Sequence, residues 1–452
     1  MPQQDKRMVA PSIRPVLHLA ICMSALAASA LAGPPPPVTD DAYVTVDPAE
    51  ARLGQLLFYD PILSGNRNVA CATCHHPRFG TSDGVSLSLG DGGIGLGPDR
   101  RADPANLPED RVPRNATALF NLGAREFTVL FDDGRIERDT SRKAGFRTPL
   151  EDDMVVGFSG VLSAQTMFPV LSQDEMAGSF GENDVATAVR KGTLTGPGGA
   201  WDLIARRVAA IPDYAVQFEA VYPHIRTADD IAFTDISNAV AAFMAFEWRS
   251  DDSPFDAALR GDAPLSGQAA RGQELFYGVA GCSSCHSGPF QTDHKFHAMG
   301  MPQFGPGKAA NFERGARDEG RYRVTGRAGD LFAFRTPSLR NVAQTAPYGH
   351  DGAYPDLASF IRAHCDPRTA IVRYDRAQVR MPALDVAPDW LVLDDADETR
   401  AIQAAAVDWR VTLRDDDVAA LVAFLGSLSD PVALSGRLGI PETVPSGLPV
   451  PR

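Results

Sequence analysis

Two pentapeptides carry the clearest chemistry in this sequence: Cys71-Ala72-Thr73-Cys74-His75 and Cys282-Ser283-Ser284-Cys285-His286. A Cys-x-x-Cys-His motif attaches c-type haem, because its two thiols add to the vinyl groups of one porphyrin and its histidine binds the iron. The two motifs use four of the six cysteines. The sequence therefore predicts two covalently bound c-type haems, with His75 and His286 as iron ligands.

Zinc and disulfides are the alternatives for these cysteines. A zinc ribbon would pair the two Cys-x-x-Cys units, but residues 71 and 282 are separated by far more than the usual ligand spacing. The histidine that ends each motif also favours haem over a disulfide.

A short internal repeat precedes the two motifs. Residues 54–59 read Gly-Gln-Leu-Leu-Phe-Tyr, and residues 272–277 read Gly-Gln-Glu-Leu-Phe-Tyr. A helix followed by Cys-x-x-Cys-His, used twice, indicates two cytochrome-like haem domains related by duplication.

The N-terminus resembles a secretory signal peptide covering residues 1–32. A basic start precedes an apolar run from Val16 to Leu31, and Ala30-Leu31-Ala32 resembles a cleavage site. A retained N-terminal anchor is the alternative, although the run is short for a membrane span. Export agrees with the haem prediction, because c-type haem is attached outside the bacterial cytoplasm. We therefore expect a periplasmic protein without a membrane span after signal removal.

Length and charge limit the remaining possibilities. The 452 residues are enough for two or three domains. The formal net charge of −14 becomes −16 once residues 1–32 are removed. An acidic chain without a basic stripe is not expected to bind nucleic acid. It could instead attract a basic protein partner such as a small cytochrome.

Helix signals recur along the chain. A helix is predicted to start at Pro48 and to end at Asp60-Pro61, and further helices are predicted over 231–248, 357–365 and 413–428. Thr412 with Asp415 approximates a capping box for the last of these. The proline-rich tail from Pro431 is expected to wrap the surface.

A glycine-rich stretch covers residues 88–97. It has neither the Lys-Ser/Thr nor the preceding apolar strand of a phosphate-binding loop. We interpret it as a loop near the first haem.

Over residues 45–430 the sequence resembles the bacterial di-haem cytochrome c peroxidase family, which includes the MauG-type protein-oxidising enzymes. Besides the haem motifs, the resemblance rests on four elements: Arg114-Asn115, Asp133-Gly134-Arg135, the Gln165…Pro169…Glu175-Met176 run, and the block over 335–352 that reads Arg-Thr-Pro-Ser-Leu-Arg-Asn-Val…Thr-Ala-Pro-Tyr-x-His-Asp-Gly. The resemblance implies a mainly α fold of two cytochrome c-like haem domains with long loops and little β structure.

The resemblance implies that the N-terminal haem reacts with peroxide. The family places a glutamine, a proline four residues later and a glutamate ten residues later over this haem, and Gln165, Pro169 and Glu175 reproduce that spacing. Glu175 would move a proton between the peroxide oxygens, Gln165 would orient peroxide, and Pro169 would shape the pocket. Taken alone, Glu175 could equally be a solvated carboxylate at a helix start.

The C-terminal haem would then transfer electrons. In the family its sixth ligand, methionine or tyrosine, lies fourteen residues after the Pro-Tyr-x-His histidine, and here that position is His364. We therefore expect a bis-histidine haem, with a surface helix histidine as the alternative. His350 could compete, but its loop position favours a role at the haem edge. We expect His76 to be an ordinary loop residue and Cys365 to be structural.

The resemblance also implies a calcium ion between the haem domains. The matching ligands are the Asn115 side chain and the carbonyls of Thr345 and Pro347, with waters. Oxygen-only ligation suits calcium.

Three departures from the family pattern stand out. Asp132 occupies the position of the family's inter-haem tryptophan, which puts a hopping route through that ring in doubt. An insertion separates Arg135 from Gln165. Glycines 92–97 stand where reductively activated members carry a distal histidine, so the first haem is predicted to be five-coordinate without activation.

The expected function is a periplasmic di-haem peroxidase that reduces hydrogen peroxide with electrons from a small cytochrome c or cupredoxin. The alternatives are MauG-like oxidation of a partner protein through high-valent haem iron, and a non-catalytic electron carrier. The expected domains are 33–250 for the peroxidatic haem and 251–430 for the electron-transfer haem, followed by a tail at 431–452. The oligomeric state is open, with a homodimer as one option.

Overall fold

The computed structural model describes residues 33–308, 315–385 and 389–452. The predicted signal peptide lies outside the described residues. The fold is mainly helical with small sheets, which confirms the expected fold class. The helices of the N-terminal half are α1 (Pro48–Tyr59), α2 (Cys71–Cys74), α3 (Val161–Thr166), α4 (Asp184–Arg190), α5 (Ala200–Ala209), α6 (Pro212–Val221) and α7 (Phe233–Glu247). Those of the C-terminal half are α8 (Pro254–Arg260), α9 (Gly267–Tyr277), α10 (Tyr322–Thr325), α11 (Leu357–Cys365), α12 (Pro367–Ala370), α13 (Leu391–Asp394), α14 (Ala396–Ala405), α15 (Asp415–Gly426) and α16 (Pro431–Ser435).

The sequence repeat corresponds to a repeated pair of crossed helices. A Cβ atom on Gly54 of α1 would lie 2.9 Å from Cβ of Phe243 on α7. A Cβ atom on Gly272 of α9 would lie 2.7 Å from Cβ of Phe424 on α15. Each glycine therefore lets two helix backbones approach closely immediately before a haem motif. The duplication predicted from two hexapeptides is thus present in the packing.

Short antiparallel strands fix the loops between the helices. The strands are β1 (Gly93–Ile94), β2 (Arg101–Ala102), β3 (Val129–Leu130), β4 (Ile136–Arg138), β5 (Phe146–Arg147), β6 (Phe296–His297) and β7 (Phe334–Arg335). They pair as β1-β2, β3-β4-β5 and β6-β7, with Gly93 opposite Ala102, Leu130 opposite Ile136 and Phe296 opposite Arg335. The turn between β3 and β4 carries Asp132 and Asp133.

Two large hydrophobic clusters form the core, one mainly within residues 43–248 and one mainly within 255–428. Two side chains are each buried in the cluster of the opposite half. Phe290 follows the second haem motif but is buried in the first cluster, and Leu87 follows the first motif but is buried in the second. The two halves therefore interlock beside the haem attachment loops, while the exact domain boundaries stay a prediction.

We expected the C-terminal tail to wrap the surface. In the structure it also packs into the core of the N-terminal half. Val444 is buried in the first hydrophobic cluster. The carboxylate of Glu247, itself 2% exposed, accepts hydrogen bonds from the backbone N–H groups of Arg437 (2.9 Å), Leu438 (2.6 Å) and Gly439 (2.9 Å). A buried carboxylate needs such donors, so the tail is part of the N-terminal core.

The predicted helices at 48, 231–248, 357–365 and 413–428 are present, with ends shifted by up to two residues. The predicted capping box of Thr412 with Asp415 is wrong. Helix α15 begins at Asp415, its N-cap is Arg414, and the Asp417 carboxylate accepts a hydrogen bond from the Arg414 N–H at 3.1 Å. Three consecutive aspartates allow several capping frames, and packing against α9 selects this one.

Candidate active site

The first haem motif forms the short helix α2. A hydrogen bond fixes the orientation of the His75 imidazole, because its Nδ1 atom donates to the Thr81 carbonyl at 3.0 Å. This hydrogen bond leaves Nε2 for the iron. Burial lowers the pKa of His75, which keeps the ring in the neutral form that a metal ligand requires.

A small cavity adjoins this motif at Cys71. Its walls are almost entirely apolar, as the surroundings of a porphyrin must be. The lining residues are Leu63, Cys71, Thr166, Pro169, Val170, Met176, Phe233, Ile236, Ser237 and Val240. The thiol-bearing helix, the directed histidine and this cavity together fit a covalently attached haem.

The three predicted peroxide-site residues lie on consecutive turns beside this cavity. Gln165 is near the end of α3, Pro169 begins a 3₁₀ turn at Pro169–Leu171, and Glu175 lies in a π-helical turn at Gln173–Ala177. Pro169 lines the cavity directly, and the sequence neighbours of Gln165 and Glu175 line it as well. The turns that carry the three residues therefore form one wall of the cavity, while the catalytic roles of Gln165 and Glu175 stay a prediction.

Glu175 also lies near the second thiol of the motif. Burial raises the pKa of Cys74 to about 12, opposed by the Arg100 guanidinium and supported by the carboxylates of Asp83 and Glu175. The electrostatic influence of Glu175 on this thiol means that the carboxylate and the haem attachment point share one environment.

The glycine-rich loop supports the Glu175 turn. A Cβ atom on Gly90 would lie 2.5 Å from the Glu175 carbonyl oxygen and 2.7 Å from its Cα atom. The buried Arg100 holds the loop, because its guanidinium donates to the carbonyls of Leu89, Gly90 (2.6 Å) and Gly95 (2.7 Å). The loop therefore lies in the predicted region, but Arg100 was not predicted, since its partners are known only in the fold.

The second haem motif is bordered by His364. His286 Nδ1 donates to the Gln291 carbonyl at 3.1 Å, as His75 does in the first motif. His364 Nδ1 donates to the Phe360 carbonyl at 3.0 Å on α11. Burial and the nearby His286 ring lower the pKa of His364 to about 4. Two half-buried imidazoles that influence each other and whose pKa values are both lowered fit bis-histidine ligation of one iron.

A further cluster adjoins the second motif. Among the described residues, Cys285, Asp293 and His297 bring potential ligand atoms within 4.8 Å of one another. His297 Nε2 lies 3.0 Å from Asp293 Oδ2. Because Cys285 is a haem attachment residue, this cluster belongs to the haem site rather than to a separate metal.

Asp132 lies in a buried ionic network between the two halves. Arg114 makes a bidentate pair with Asp318 (2.7 and 2.9 Å) and contacts Asp133 at 2.9 Å. Burial raises the pKa of Asp132, although Arg114 and Arg335 oppose this effect. The position that carries an aromatic ring in the family is therefore part of a charged environment.

His350 packs against this network. Its ring stacks on Phe334 with centroids 3.8 Å apart, and neither ring nitrogen has a hydrogen bond within the described part of the chain. Burial lowers the pKa of His350 to about 4. The expected haem-edge role of His350 stays a prediction.

The proposed calcium residues lie in one region. A Cβ atom on Gly352 would lie 3.0 Å from both Asn115 Nδ2 and Pro347 Cγ. Asn115 Nδ2 donates to the carbonyls of Val85 (2.7 Å) and Ser86 (3.2 Å), which directs Oδ1 away from them. Thr345 is two residues from Pro347 in the sequence, and the calcium ion stays a prediction.

His76 and Cys365 were expected to have no catalytic or binding role. His76 Nδ1 accepts a hydrogen bond from the Arg78 N–H at 3.2 Å, and its ring is buried. Cys365 is half-buried and close enough to Cys282 to raise the pKa of that thiol, together with burial, to about 12.

Comparison with known proteins places this arrangement in a family. The family profile described as di-haem cytochrome c peroxidase matches residues 48–264. The chain belongs to the di-haem cytochrome c peroxidase and MauG family. It is therefore an oxidoreductase of the di-haem peroxidase type, and two c-type haems are its cofactors.

Relatives within this family include proteins of both named kinds. The methylamine utilization protein MauG of Methylorubrum extorquens is 29% identical over 70% of this chain and 68% of its own length. The cytochrome c peroxidase Ccp of Escherichia coli is 30% identical over 70% of this chain and 53% of its own length. A crystal structure of a MauG-like protein associated with microbial copper homeostasis superposes with a TM-score of 0.58 and 25% identity, covering 89% of this chain and 94% of the other.

Within the described residues, no helix of this family member has both the length and the apolar character that a membrane span needs.

Proposed function

We propose that this chain is an exported, periplasmic di-haem peroxidase that reduces hydrogen peroxide to water with electrons from a small redox protein. The observation that carries the proposal is the wall of the cavity beside Cys71, which is formed by Pro169 and by the turns that carry Gln165 and Glu175. An electron carrier without turnover has no need for a carboxylate and an amide beside its haem.

The residues of this wall have distinct roles in the proposal. When bound between Cys71, Cys74 and His75, haem supplies the iron that takes up peroxide and the electrons that reduce it. The Glu175 carboxylate would accept a proton from one peroxide oxygen and donate it to the other, so that the O–O bond breaks with loss of water. The Gln165 amide would orient the peroxide, and Pro169 would limit the space around it.

The second haem site suits electron transfer. With His286 and His364 as its two axial ligands, no coordination position would be left for a substrate. Next to it, Val279 is 77% exposed and Trp409 is 36% exposed. The Trp409 ring covers Gly281, since a Cβ atom there would lie 2.5 Å from Trp409 Cη2. This small exposed apolar surface beside Cys282 supports binding of a redox partner at the second haem.

The ionic network around Asp132 favours this function over MauG-like protein oxidation. A carboxyl group and its neighbouring arginines cannot be oxidised in the way that an indole ring can. The two haems of this chain would then exchange electrons without storing an oxidising equivalent on a side chain between them.

Glu175→Gln tests the proposal in the di-haem protein with reduced cytochrome c as donor. We expect peroxide-dependent oxidation of the donor to fall by about 10²- to 10⁴-fold, the usual contribution of a general acid–base group. Glu219→Gln, an exposed glutamate on α6, is the matched control and should retain the wild-type rate.

Two results would contradict this assignment. Wild-type turnover in the Glu175→Gln protein would remove Glu175 from the mechanism. A wild-type protein that does not consume peroxide with any reduced small redox protein, but covalently modifies a partner protein when peroxide is added, would establish the MauG-like alternative.

A further inference from the structure

A second, polar cavity lies behind the Glu175 turn. It is a small cavity, and the acidic residues Asp91, Glu109, Asp110 and Asp174 contribute to its walls. Asp174 precedes Glu175 in the same π-helical turn, so one turn borders both this cavity and the predicted peroxide site.

The cavity connects this turn to solvent. Glu109 is exposed, and its carboxylate accepts a hydrogen bond from Gln173 Nε2 at 2.7 Å. Asp110 and Asp174 are half-buried behind it. The walls therefore carry an exposed carboxylate at Glu109 and half-buried carboxylates next to the Glu175 turn.

A buried acceptor in the wall indicates that the cavity holds water. Asp91 is 7% exposed, and its Oδ2 atom accepts hydrogen bonds from Asn66 (3.0 Å) and Asn106 (3.3 Å). Its Oδ1 atom makes no hydrogen bond of ordinary geometry among the described residues, although the Asn68 side chain lies near enough to the carboxylate to oppose the rise of the Asp91 pKa on burial. Buried carboxylate oxygens are rarely left unpaired, and a small polar cavity lined by several acceptors can hold an ordered water molecule.

We propose that this acidic cavity is the route by which solvent protons reach Glu175, with Asp174 as the relay. The inference rests on the proposed peroxidase function. Reduction of one hydrogen peroxide to two waters consumes two electrons and two protons. Glu175 only redistributes the protons that peroxide brings, so the two additional protons come from solvent, while the redox partner supplies both electrons.

The charges that face Asp174 suit a relay. They are Asp110, Glu175 and Glu109, which disfavour its ionised form, and Lys308, which favours it. Burial and these carboxylates raise the pKa of Asp174 to about 6. A carboxyl group with this pKa can both hold and release a proton near neutral pH, as a relay must.

Asp174→Asn in the intact di-haem protein tests the relay in two ways. We expect the single-turnover rate with peroxide to fall about tenfold, less than the ~100-fold minimum for a direct acid–base group. Added acetic acid buffer should restore the rate, because a small acid can approach the exposed side of the cavity at Glu109 and deliver protons there. Asp229→Asn, an exposed aspartate outside both cavities, is the control and should match wild type with and without acetate.

Cyanide binding to the ferric protein is the second measurement, and it requires no turnover. Hydrogen cyanide must lose a proton as it binds, so its association rate should also fall about tenfold in Asp174→Asn and recover with acetate, in keeping with loss of a proton-transfer group. A rate loss that acetate does not reverse would show a merely structural role and overturn the proposal. Unchanged rates of both reactions would overturn it equally.

Failure of the relay can be separated from failure of the proposed function. If the wild-type and Asp174→Asn proteins react with peroxide equally well, the relay is refuted and the proposed peroxidase function stands. A wild-type protein without peroxide reactivity refutes the peroxidase, and cyanide association then decides the relay alone.

Discussion

Replacing Gly90 by alanine would place a methyl group against the backbone of the turn that carries Glu175. The new Cβ atom would lie 2.5 Å from the Glu175 carbonyl oxygen and 2.7 Å from its Cα atom, whereas real Cβ contacts stay above 3.0 Å. The buried Arg100 prevents the glycine-rich loop from retreating, since it binds three carbonyls of that loop. The turn, rather than the loop, must therefore move.

The size of the movement sets the expected effect. Relief of the clash requires a displacement of about 1 Å, because the Asp174 carbonyl oxygen would lie even closer to the new Cβ atom than the Glu175 atoms do, and a 1 Å misplacement of a reacting group costs on the order of 100-fold in rate. We therefore expect kcat for peroxide reduction to fall by about 10- to 100-fold in Gly90→Ala. Because the haem motifs are not touched, haem content and the spectrum of the second haem should be unchanged.

Steady-state oxidation of reduced cytochrome c by peroxide measures the effect. Gly329→Ala is the matched control, because a Cβ atom at Gly329 would meet nothing within 4 Å. Wild-type kcat in Gly90→Ala would refute the reasoning that the loop positions the Glu175 turn. A loss of kcat in Gly90→Ala without one in Glu175→Gln would show that the turn acts through a residue other than Glu175.

Two further predictions concern the second haem and the tail. His364→Gly should convert a low-spin ferric signal to a high-spin one in electron paramagnetic resonance, and added imidazole should restore it; an unchanged spectrum would exclude His364 as a ligand. Glu247→Ala leaves three tail N–H groups without their acceptor, so the free energy of unfolding should fall by roughly 3–9 kcal/mol at about 1–3 kcal/mol per unsatisfied group. Denaturant unfolding measures this, and a loss below about 1 kcal/mol, the usual net worth of one hydrogen bond, would show that the tail contributes little to the N-terminal core.

Local patterns predicted much of the haem-binding framework. Cys-x-x-Cys-His works through contiguous residues, so both haem sites and their proximal histidines follow from a few positions each. The same holds for α1, which begins at Pro48 and stops at Asp60-Pro61. The capping box at Thr412 failed for the opposite reason, because several neighbouring aspartates can cap and only packing chooses among them.

Resemblance to the family predicted which residues surround the first haem, but not what holds them. The Gln165, Pro169 and Glu175 spacing implied a catalytic wall, and the structure brings these turns to one cavity. Arg100 and Gly90, which support that wall, come from a loop that had no assigned task in the sequence. Likewise Asp132 was visible as a departure, whereas its charged partners Arg114 and Asp318 were not.

The sequence by itself determined that this protein attaches two c-type haems through equivalent motifs, because attachment depends on five adjacent residues. Only the tertiary structure decided how the surroundings of the two motifs differ. Glu175 and the acidic cavity of Asp174 adjoin the first, whereas His364 borders the second. These contacts join residues far apart in the chain, and burial and electrostatic interactions between them depend on distances in space that no local pattern contains.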